Sequence, residues 1–294
     1  MELRHIRYFL TVAEEGNFTR AAQKLGISQP PLSSQIKALE EALGAQLFHR
    51  IPQGAELTIA GKVFRDRIAA IPDLIAAAVR DTQRAAKGET GSVRVGFTGS
   101  AAFNHRVPNT IRTFRRKFPE VELSLSEDNS QGLVTALLAG TLDVAFIRPT
   151  SVDHTGLRIY PLEEEPLIVA LPSSRVPPGD PVRLLDLAQE PLIVTPRSLG
   201  PTLFDETLAL CRKAGFEPIL GQSAPQVASV LALVAAEIGF ALVPDSMRDT
   251  SLRGVSYYAL EETASVTLAL ALRSEEYAPA VLAFTAESRF PEHD

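Results

Sequence analysis

The segment from residue 18 to residue 43 constrains the fold of this chain most strongly. A helical pattern over Ala21-Ala22-Gln23-Lys24-Leu25 is interrupted at Gly26-Ile27, and a longer one begins at Ser28. Ser28 is a favourable N-cap, and two prolines can follow it because first-turn amides have no intrahelical partner to lose. The longer helix carries one apolar stripe, made of Leu32, Ile36, Leu39 and Leu43. This pattern predicts the second and third helices of a helix-turn-helix.

The face of the third helix opposite the stripe is short and polar. A step of about 100° per residue places Pro30, Ser33, Ser34 and Lys37 on it, and no acid follows until Glu40. The major groove of DNA accepts such a helix, whose hydroxyl and amide side chains reach base edges or phosphates. An ordinary helical hairpin with a solvated outer face fits the same residues, because the motif is degenerate.

A β-hairpin is predicted directly after this motif. Residues 46–50 and 55–58 flank a Pro52-Gln53-Gly54 turn, which is typical of a small wing. His49 and Arg50 lie where a wing meets the DNA backbone. A surface ion pair is the alternative role for Arg50.

Helices are predicted on both sides of the winged unit. Residues 2–15 have helical apolar spacing, and Gly16 ends that helix. Thr58 can cap a long helix that runs to about residue 87. Its apolar stripe contains Ile59, Val63, Phe64, Ile68, Ile71, Ile75, Ala78 and Val79. Such a stripe usually packs against a partner, which predicts dimerisation, although packing on its own domain is the alternative. Pro72 should bend this helix.

From residue 92 the pattern changes to short β runs alternating with helices, which predicts α/β architecture. The alternation occurs twice. The predicted strands are 92–97, 121–125 and 143–147 in the first round, and 192–195, 219–220 and 239–243 in the second. Crossing strands near 167–171 and 266–272, and a last helix over 279–290 that returns to the first lobe, complete a two-lobed clamshell.

Ligands of such folds bind in the crevice at strand C-termini, against helix N-termini that favour anions. Four predicted helix starts meet there: Gly99-Ser100, Asn129-Ser130, Pro201-Thr202 and Pro225-Gln226. Arg148, just past a strand end, is the cation expected in the cleft, and Arg197 is a second candidate. A structural salt bridge or a solvated loop arginine is the alternative for each.

Composition indicates a soluble globular protein but does not show whether that protein binds DNA. Apolar residues make up 45% and charged residues 22% of 294 residues, which is ordinary for a soluble globular protein. The net charge is −6, and residues 1–60 carry six basic and six acidic side chains, so composition neither supports nor excludes DNA. The single cysteine, Cys211, excludes an intrachain disulfide framework. The N-terminal residues Met1 to Arg7 mix charged and apolar side chains and lack a signal-peptide core, and no apolar run reaches a membrane span, so we expect a cytoplasmic protein.

An enzyme is the main competing class. No nucleophile elbow, His-Glu-x-x-His or Gly-x-Gly-x-x-Gly fingerprint occurs, and the five histidines are scattered rather than spaced for a metal. Glu163-Glu164-Glu165 is expected to be a solvated loop rather than acid/base machinery. We therefore predict neither catalysis nor a cofactor. A transport-type solute receptor would share the clamshell but would not carry the N-terminal unit.

Taken together, the chain resembles the LysR-type transcriptional regulators of bacteria over essentially its whole length. The resemblance is carried by Leu3-Arg4-His5-Ile6-Arg7-Tyr8-Phe9, Ala21-Ala22-Gln23-Lys24-Leu25, Ser28-Gln29-Pro30-Pro31-Leu32-Ser33, Leu39-Glu40, Leu47-Phe48-His49-Arg50 and Leu57-Thr58-Ile59-Ala60-Gly61. It implies a winged helix-turn-helix over 1–58 and a dimerising linker helix over 59–90. A two-lobed, periplasmic-binding-protein-like α/β effector domain follows over 91–294. Lobe I is expected at about 91–161 and 267–294, and lobe II at about 162–266.

The resemblance also implies site residues. Family DNA contacts carry over to Gln29, Pro30, Ser33 and Ser34, with Arg50 on the backbone, and Lys37 shares the predicted outer face. The family often has arginine at the Ser34 position and a basic wing tip where this chain has Gln53. Within the family, the branch governing aromatic-compound catabolism is most similar. Its effector positions match Thr98, Gly99, Ser100, Ser130, Arg148, Pro201, Thr202 and Leu203.

These observations predict a regulator that binds double-stranded promoter DNA as a dimer or tetramer, with RNA polymerase a candidate further partner and no membrane association. A small organic acid, such as an aromatic-catabolism acid, is expected between the lobes. It would change their angle and so alter DNA bending. Removing the Arg148 side chain is expected to abolish this response while leaving basal DNA binding intact.

Overall fold

The computed structural model describes residues 1–52, 54–149, 155–177 and 179–289. It divides into two compact units, Met1–Gln83 and Arg84–Asp294. No helix within the described ranges is long and apolar enough to cross a membrane.

The first unit is built from helices and one hairpin. Its elements are α1 (Leu3–Glu15), α2 (Phe18–Leu25), α3 (Gln29–Leu43), β1 (Phe48–Ile51), β2 (Gly54–Leu57), α4 (Ile59–Ile68) and α5 (Ile71–Ala86), the last of which continues past the unit boundary. Three helices end where predicted, because Gly16, Gly26 and Gly44 adopt the left-handed conformation that closes a helix. The predicted helix-turn-helix and wing are confirmed.

An aromatic cluster forms the core of this unit. Phe9 on α1 is fully buried and lies 5.2 Å from Phe48 and 5.0 Å from Phe64 between ring centroids. Phe18 packs edge-on against Phe48 at 5.7 Å. The predicted stripe residues Leu32, Ile36 and Leu39 complete this core. Burial of these side chains, each worth about 1.5–3 kcal/mol, fixes the position of α3.

The wing packs against the end of the first helix. β1 and β2 pair antiparallel, with Arg50 opposite Ala55, and the Ala55 N–H donates to the Gly16 carbonyl at 2.8 Å. Gly54 has φ +151°, and a Cβ there would overlap the same carbonyl, so the turn requires glycine. The predicted wing tip, Gln53, lies outside the described residues.

The structure corrects the prediction for the linker helix. A single helix from Thr58 to about residue 87 was expected, but α4 ends at Ile68 and α5 begins at Ile71. Pro72 is the second residue of α5, where its missing N–H costs no hydrogen bond. The bend expected from Pro72 is therefore a break between two helices. Thr58 does cap α4, accepting from the Gly61 N–H at 2.9 Å.

The second unit contains a seven-stranded sheet with two long crossing strands. The parallel strands β3 (Gly91–Phe97), β4 (Val121–Glu127) and β5 (Val144–Ile147) lie at one end. β6 (Leu157–Pro172) and β11 (Ser265–Arg273) run antiparallel through the middle. α6 (Arg106–Lys117), α7 (Ser130–Leu138) and α10 (Pro279–Arg289) cover this end. The last helix packs on α6 and β3, as predicted.

The other end of the sheet continues from the second half of β6. β9 (Ala241–Pro244) and β10 (Val255–Tyr258) pair with β6, and β7 (Pro191–Val194) pairs in parallel with β8 (Ile219–Ser223). α8 (Pro201–Lys213) and α9 (Val227–Ala235) complete it. Separate apolar clusters lie under the two ends, and we call these ends lobe I and lobe II. The strand β10 had no counterpart in the predicted elements.

One acidic run was assigned wrongly. Glu163-Glu164-Glu165 was expected to be a solvated loop, but all three residues lie within β6. Glu165 is 2% exposed, Glu164 accepts from Ser265 and Thr267, and Glu163 lies 3.2 Å from Arg106. Composition alone cannot distinguish a charged strand whose acids have cross-strand partners from a loop.

Candidate functional site

The outer face of α3 is the first candidate site. Pro30, Ser34 and Lys37 are exposed on the side of this helix away from the apolar stripe, and Gln29 is exposed at its first residue. Ser28 occupies the N-cap position, but its hydroxyl makes no capping hydrogen bond, contrary to the prediction. The first-turn amides of α3 are therefore uncapped by that side chain, and a helix start of this kind suits a phosphate group.

The structure places Ser33 differently from the predicted outer face. Ser33 is half-buried, and its hydroxyl oxygen is enclosed without a hydrogen-bond partner. At about 100° per residue, Ser33 lies only roughly 90° from the centre of the apolar stripe, so it lies on the flank of the helix. Ser34 lies nearly opposite the stripe and takes the exposed position.

Several cations of the first unit are already paired with acidic side chains. Lys24 donates to Glu14 and Glu15 at 2.9 Å each, and these hydrogen bonds raise the pKa of Lys24. Lys37 lies 3.7 Å from Glu41. Arg50 is exposed on the wing, with its guanidinium 5.2 Å from the centroid of the Phe18 ring. This contact orients Arg50 without neutralising its charge, so it is available for a phosphate.

The second candidate site is a cleft between lobe I and lobe II. Its free volume is about 60 Å³. Lobe I and the adjoining loop contribute Thr98, Gly99, Ser100, Asp128, Asn129, Ser130 and Arg148, and lobe II contributes Thr195, Leu199, Gly200, Thr202, Leu203, Pro225, Gln226 and Val227. Seven of the eight predicted effector positions are thereby brought together. Pro201, the eighth, is the first residue of α8 and is not among the lining residues.

Arg148 forms the centre of the cleft and is held in a buried ion pair. Its Nη2 donates to Glu165 Oε2 at 2.6 Å, and its Nε donates to Ser100 Oγ at 2.9 Å. The two charged side chains are 4% and 3% exposed. Burial lowers the pKa of Arg148, while the charge of Glu165 opposes that shift. Both proposed roles of Arg148, cleft cation and structural salt bridge, are therefore present in one side chain.

Two polar atoms of this pair remain unused. Arg148 Nη1 and Glu165 Oε1 are buried without a hydrogen-bond partner. An unsatisfied buried polar group costs about 1–3 kcal/mol, and more when it is charged. Arg148 lines the cleft, but its Nη1 atom is itself enclosed, so a ligand would accept from Nη1 only after a side chain or a lobe moves.

The helix starts around the cleft are not equivalent. Asn129 caps α7 by accepting from the Gln131 and Gly132 amides, and Asp128 accepts from the Asn129 amide at 2.7 Å. In contrast, neither α8 nor α9 has a side-chain cap. The free helix starts, and with them the favourable field for an anion, therefore lie on the lobe II side.

Thr202 joins the two lobes beneath the cleft. Its hydroxyl lies 3.2 Å from the Arg148 carbonyl oxygen and 3.0 Å from that of Pro149, and it can donate to either. Arg197, the second predicted cation, instead makes a bidentate pair with Asp205 at 2.7 and 2.8 Å on the surface and does not line the cleft. Sequence reasoning missed Glu165, although a buried arginine requires an acidic partner of this kind.

A second cavity is larger but less suited to a small ligand. An open groove of about 430 Å³ lies over residues 166–168 of β6. Its charged residues are already engaged, since Arg248 pairs with Asp245 at 3.0 Å and Glu262 accepts from the Leu184 amide. The described residues contain no group of three metal-ligating side chains. The interlobe cleft is therefore the better candidate.

Comparison with known proteins agrees with this architecture. Residues 3–62 match the family profile "Bacterial regulatory helix-turn-helix protein, lysR family", and residues 86–289 match "LysR substrate binding domain". The chain is 35% identical to the HTH-type transcriptional regulator AlsR of Bacillus subtilis over 97% of this chain and 94% of that protein. It is 37% identical to BudR of Raoultella terrigena, covering 97% and 99% of the two chains.

A similar solved structure is that of full-length CbnR complexed with its target DNA. It aligns with a TM-score of 0.81 and 30% identity over 98% of this chain and 99% of CbnR. The relatives are named as transcriptional regulators, so the chain is a regulator rather than an enzyme. The helix-turn-helix, the two-lobed domain and these matches together assign it: the chain belongs to the LysR family, as a DNA-binding transcriptional regulator with an effector-binding domain.

Proposed function

We propose that this regulator binds promoter DNA as an oligomer and that a small anionic metabolite in the interlobe cleft controls it. The observation that carries the proposal is the unpartnered Arg148 Nη1, buried in a cleft that residues of both lobes line. A ligand in this cleft would contact lobe I and lobe II at once. Its binding energy would then depend on the angle between the lobes, as a regulatory ligand requires.

The charge of the cleft favours an anion on one side only. Arg148 and Glu165 neutralise each other, and Asp128 adds a negative charge beside α7. Away from Asp128, hydrogen-bond donors are supplied by the hydroxyl of Ser100 and by the uncapped starts of α8 and α9. We infer that the negative group of the ligand lies between Arg148 and α8, away from Asp128.

Oligomerisation is supported by the linker helices. Leu74 and Val79 on α5 are 66% and 50% exposed, and no described residue of α5 is buried. A helix with an exposed apolar stripe gains stability when a second copy covers it. We propose a dimer through α5 and a tetramer on DNA. The crystallised complex of CbnR with its target DNA is consistent with DNA binding by α3 and the wing.

The DNA-binding part of the proposal is tested on the outer face of α3. Ser34→Glu would place a negative charge on this exposed face, and we expect at least tenfold weaker binding to the promoter of a neighbouring gene in a gel-shift titration. Ser173→Glu, the same change at an exposed residue of the second unit, is the matched control and should bind like the parent chain. Equal binding by both variants would place the reading surface elsewhere.

The effector part is tested by footprinting this promoter with a panel of organic acids and their neutral amides. We expect at least one acid to alter the footprint or the DNA bend at saturation, and its amide to have no effect. An unchanged footprint across the panel, or an equal response to the amide, would contradict control by an anion.

A further inference from the structure

Phe18 is the first residue of α2 and lies where the core of the first unit meets the wing. Its side chain is buried, and its ring meets the Phe48 ring edge-on at 5.7 Å between centroids. Asn17 fixes this end of α2 by accepting hydrogen bonds from the Thr19 and Arg20 amides at 2.8 and 3.1 Å. The Phe18 ring therefore has a fixed position at the edge of the aromatic core.

Arg50 reaches the same ring from the wing. Side chains two residues apart on a strand share a face, so Arg50 follows Phe48 along one side of β1. Phe48 is buried in the core, while the exposed Arg50 places its guanidinium carbon 5.2 Å from the centroid of the Phe18 ring. This distance is within the roughly 6 Å over which the face of an aromatic ring attracts a cation. An exposed guanidinium is thus held by a buried ring.

The backbone of Arg50 is fixed on two sides. Arg50 pairs with Ala55, whose N–H donates to the Gly16 carbonyl at 2.8 Å. Just before β1, the Leu47 N–H donates to the carboxylate of Glu40 on α3 at 2.7 Å. These bonds tie the wing to the end of α1 and to α3, so only the long side chain of Arg50 is left to be ordered.

Ordering a long side chain on binding costs conformational entropy, and a contact that holds the side chain beforehand reduces this cost. The Phe18 ring is suited to this task, because it attracts the guanidinium without neutralising its charge. A carboxylate at the same place would hold Arg50 more firmly but would compete with a phosphate group.

We propose that Phe18 is a positioning residue for DNA binding: its ring holds the Arg50 guanidinium in place for a phosphate of the DNA backbone. This role rests on the proposed DNA binding by α3 and the wing. The alternative is a purely structural Phe18, whose loss would lower the stability of the fold without acting through Arg50.

A double-mutant cycle on the full-length protein tests this role, with a fluorescent duplex that carries the promoter of a neighbouring gene as the probe. Anisotropy titrations give the affinities of the parent chain, Phe18→Leu, Arg50→Gln and the double variant. We expect Arg50→Gln to weaken binding and to reduce the slope of log affinity against log salt by about one for each Arg50 on the DNA.

We expect Phe18→Leu to weaken binding about three- to tenfold, which is the scale of ordering one arginine side chain in each DNA-bound copy. Because Phe18 acts through Arg50, the same change should alter the affinity by less than about twofold when Arg50→Gln is already present.

A second replacement keeps the core filled in case Phe18→Leu does not fold. Pentafluorophenylalanine at position 18 has a ring of similar size whose face no longer attracts a cation, because fluorine withdraws electron density from it. We expect it to weaken DNA binding as Phe18→Leu does, again only when Arg50 is present. Thermal melting identifies the variants that are folded.

Phe9→Leu is the matched control. Phe9 packs against the same Phe48 ring at 5.2 Å, but no cation lies over the Phe9 ring among the described residues. We expect this variant to melt at a lower temperature and, below that temperature, to bind DNA like the parent chain.

The outcomes separate the two proposals. If the replacements of Phe18 leave DNA affinity unchanged, or weaken it equally with and without Arg50, Phe18 is structural and its positioning role is overturned, while the contact of Arg50 with DNA stands. An equal loss of binding in Phe9→Leu would also assign the effect to the core. If Arg50→Gln alone changes neither the affinity nor its salt slope, the phosphate contact and the role of Phe18 fail together.

Discussion

The buried pair between Arg148 and Glu165 makes the strongest prediction about stability. Replacing Arg148 with methionine would remove the 2.6 Å contact and leave the carboxylate of Glu165 at 3% exposure with no counter-charge. Breaking a buried pair in this way costs about 3–5 kcal/mol. The hydrogen bond from Arg148 Nε to Ser100 adds about 1 kcal/mol to the loss.

The assay is thermal unfolding of the full chain, followed at the transition of the second unit. For a domain of this size about 1 kcal/mol corresponds to roughly 2–4 °C, so a loss of about 4–6 kcal/mol in Arg148→Met should lower the midpoint by about 8–24 °C. Arg197→Met is the matched control. Its partner Asp205 lies at a similar distance, but the two side chains are 65% and 49% exposed. Because solvent screens such a pair, the control should lose less than about 1 kcal/mol.

A double variant tests the physical reason. Arg148→Met combined with Glu165→Leu removes both charges, and a buried ion pair replaced by apolar residues of similar size is often neutral in stability. We expect the double variant to be at least about 3 kcal/mol more stable than Arg148→Met alone. Glu165→Leu alone is measured as well. If the loss of stability in the double variant equals the sum of the losses in Arg148→Met and Glu165→Leu, the cost does not come from an uncompensated charge, and our account of the pair is refuted.

Three further predictions concern other parts of the chain. Burial tends to raise the pKa of Asp143, but hydrogen bonds from Arg94 outweigh it and hold that pKa below its usual value. Asp143→Asn should therefore reduce the free energy of unfolding at pH 7. In urea titrations the difference in free energy from the parent chain should shrink below about pH 4, where the carboxyl of the unfolded chain is protonated. A difference that stays constant with pH would contradict this. Burial raises the pKa of Cys211 to about 11, so a thiol reagent such as DTNB should react at pH 8 only after denaturant is added, and immediate reaction would show an accessible thiolate. A Cβ at Gly61 would overlap the Leu47 carbonyl oxygen, so Gly61→Ala should lower stability by more than about 1 kcal/mol in urea melts, whereas unchanged stability would mean that α4 shifts freely.

The expectation that Arg148 could be removed without other effects needs revision in this light. A single substitution leaves a buried charge next to the crossing strands, so loss of the effector response would accompany loss of stability. The Arg148→Met and Glu165→Leu double variant is the better reagent for this question. It removes the donor Nη1 while leaving no uncompensated carboxylate.

Local signals in the sequence predicted the elements well. Glycine in the left-handed region ended α1 and α3, and Asn17 caps α2 by accepting from two amides. These effects depend on residues within one helical turn, so they can be read without tertiary structure. The duplicated strand and helix pattern also gave most strands of the two-lobed domain, because buried parallel strands are short apolar runs bounded by turns.

The sequence-based predictions were wrong where tertiary contacts determine whether a polar side chain is buried or exposed. Ser33 and Ser34 are neighbours of equal polarity, and only packing on the flank of α3 determines which hydroxyl is enclosed. Glu165 looked solvated because two acids precede it, yet its partner Arg148 is 17 residues away in sequence. No periodicity encodes such a pairing. Charged residues in a strand therefore need a search for distant counter-charges before they are assigned to the surface.

The position of Arg148 shows how a ligand proposed to bind in the cleft would act on the whole second unit. Its guanidinium contacts Ser100 in lobe I and Glu165 on β6, where that strand passes from one lobe to the other. The Thr202 hydroxyl of lobe II lies within hydrogen-bond distance of the carbonyl oxygens of Arg148 and Pro149. A ligand beside Arg148 would therefore act at the point where three segments with different lobe attachments meet. Because a change there would alter the contacts between the lobes, a ligand in the cleft would change the lobe angle in the way that the proposed regulation requires.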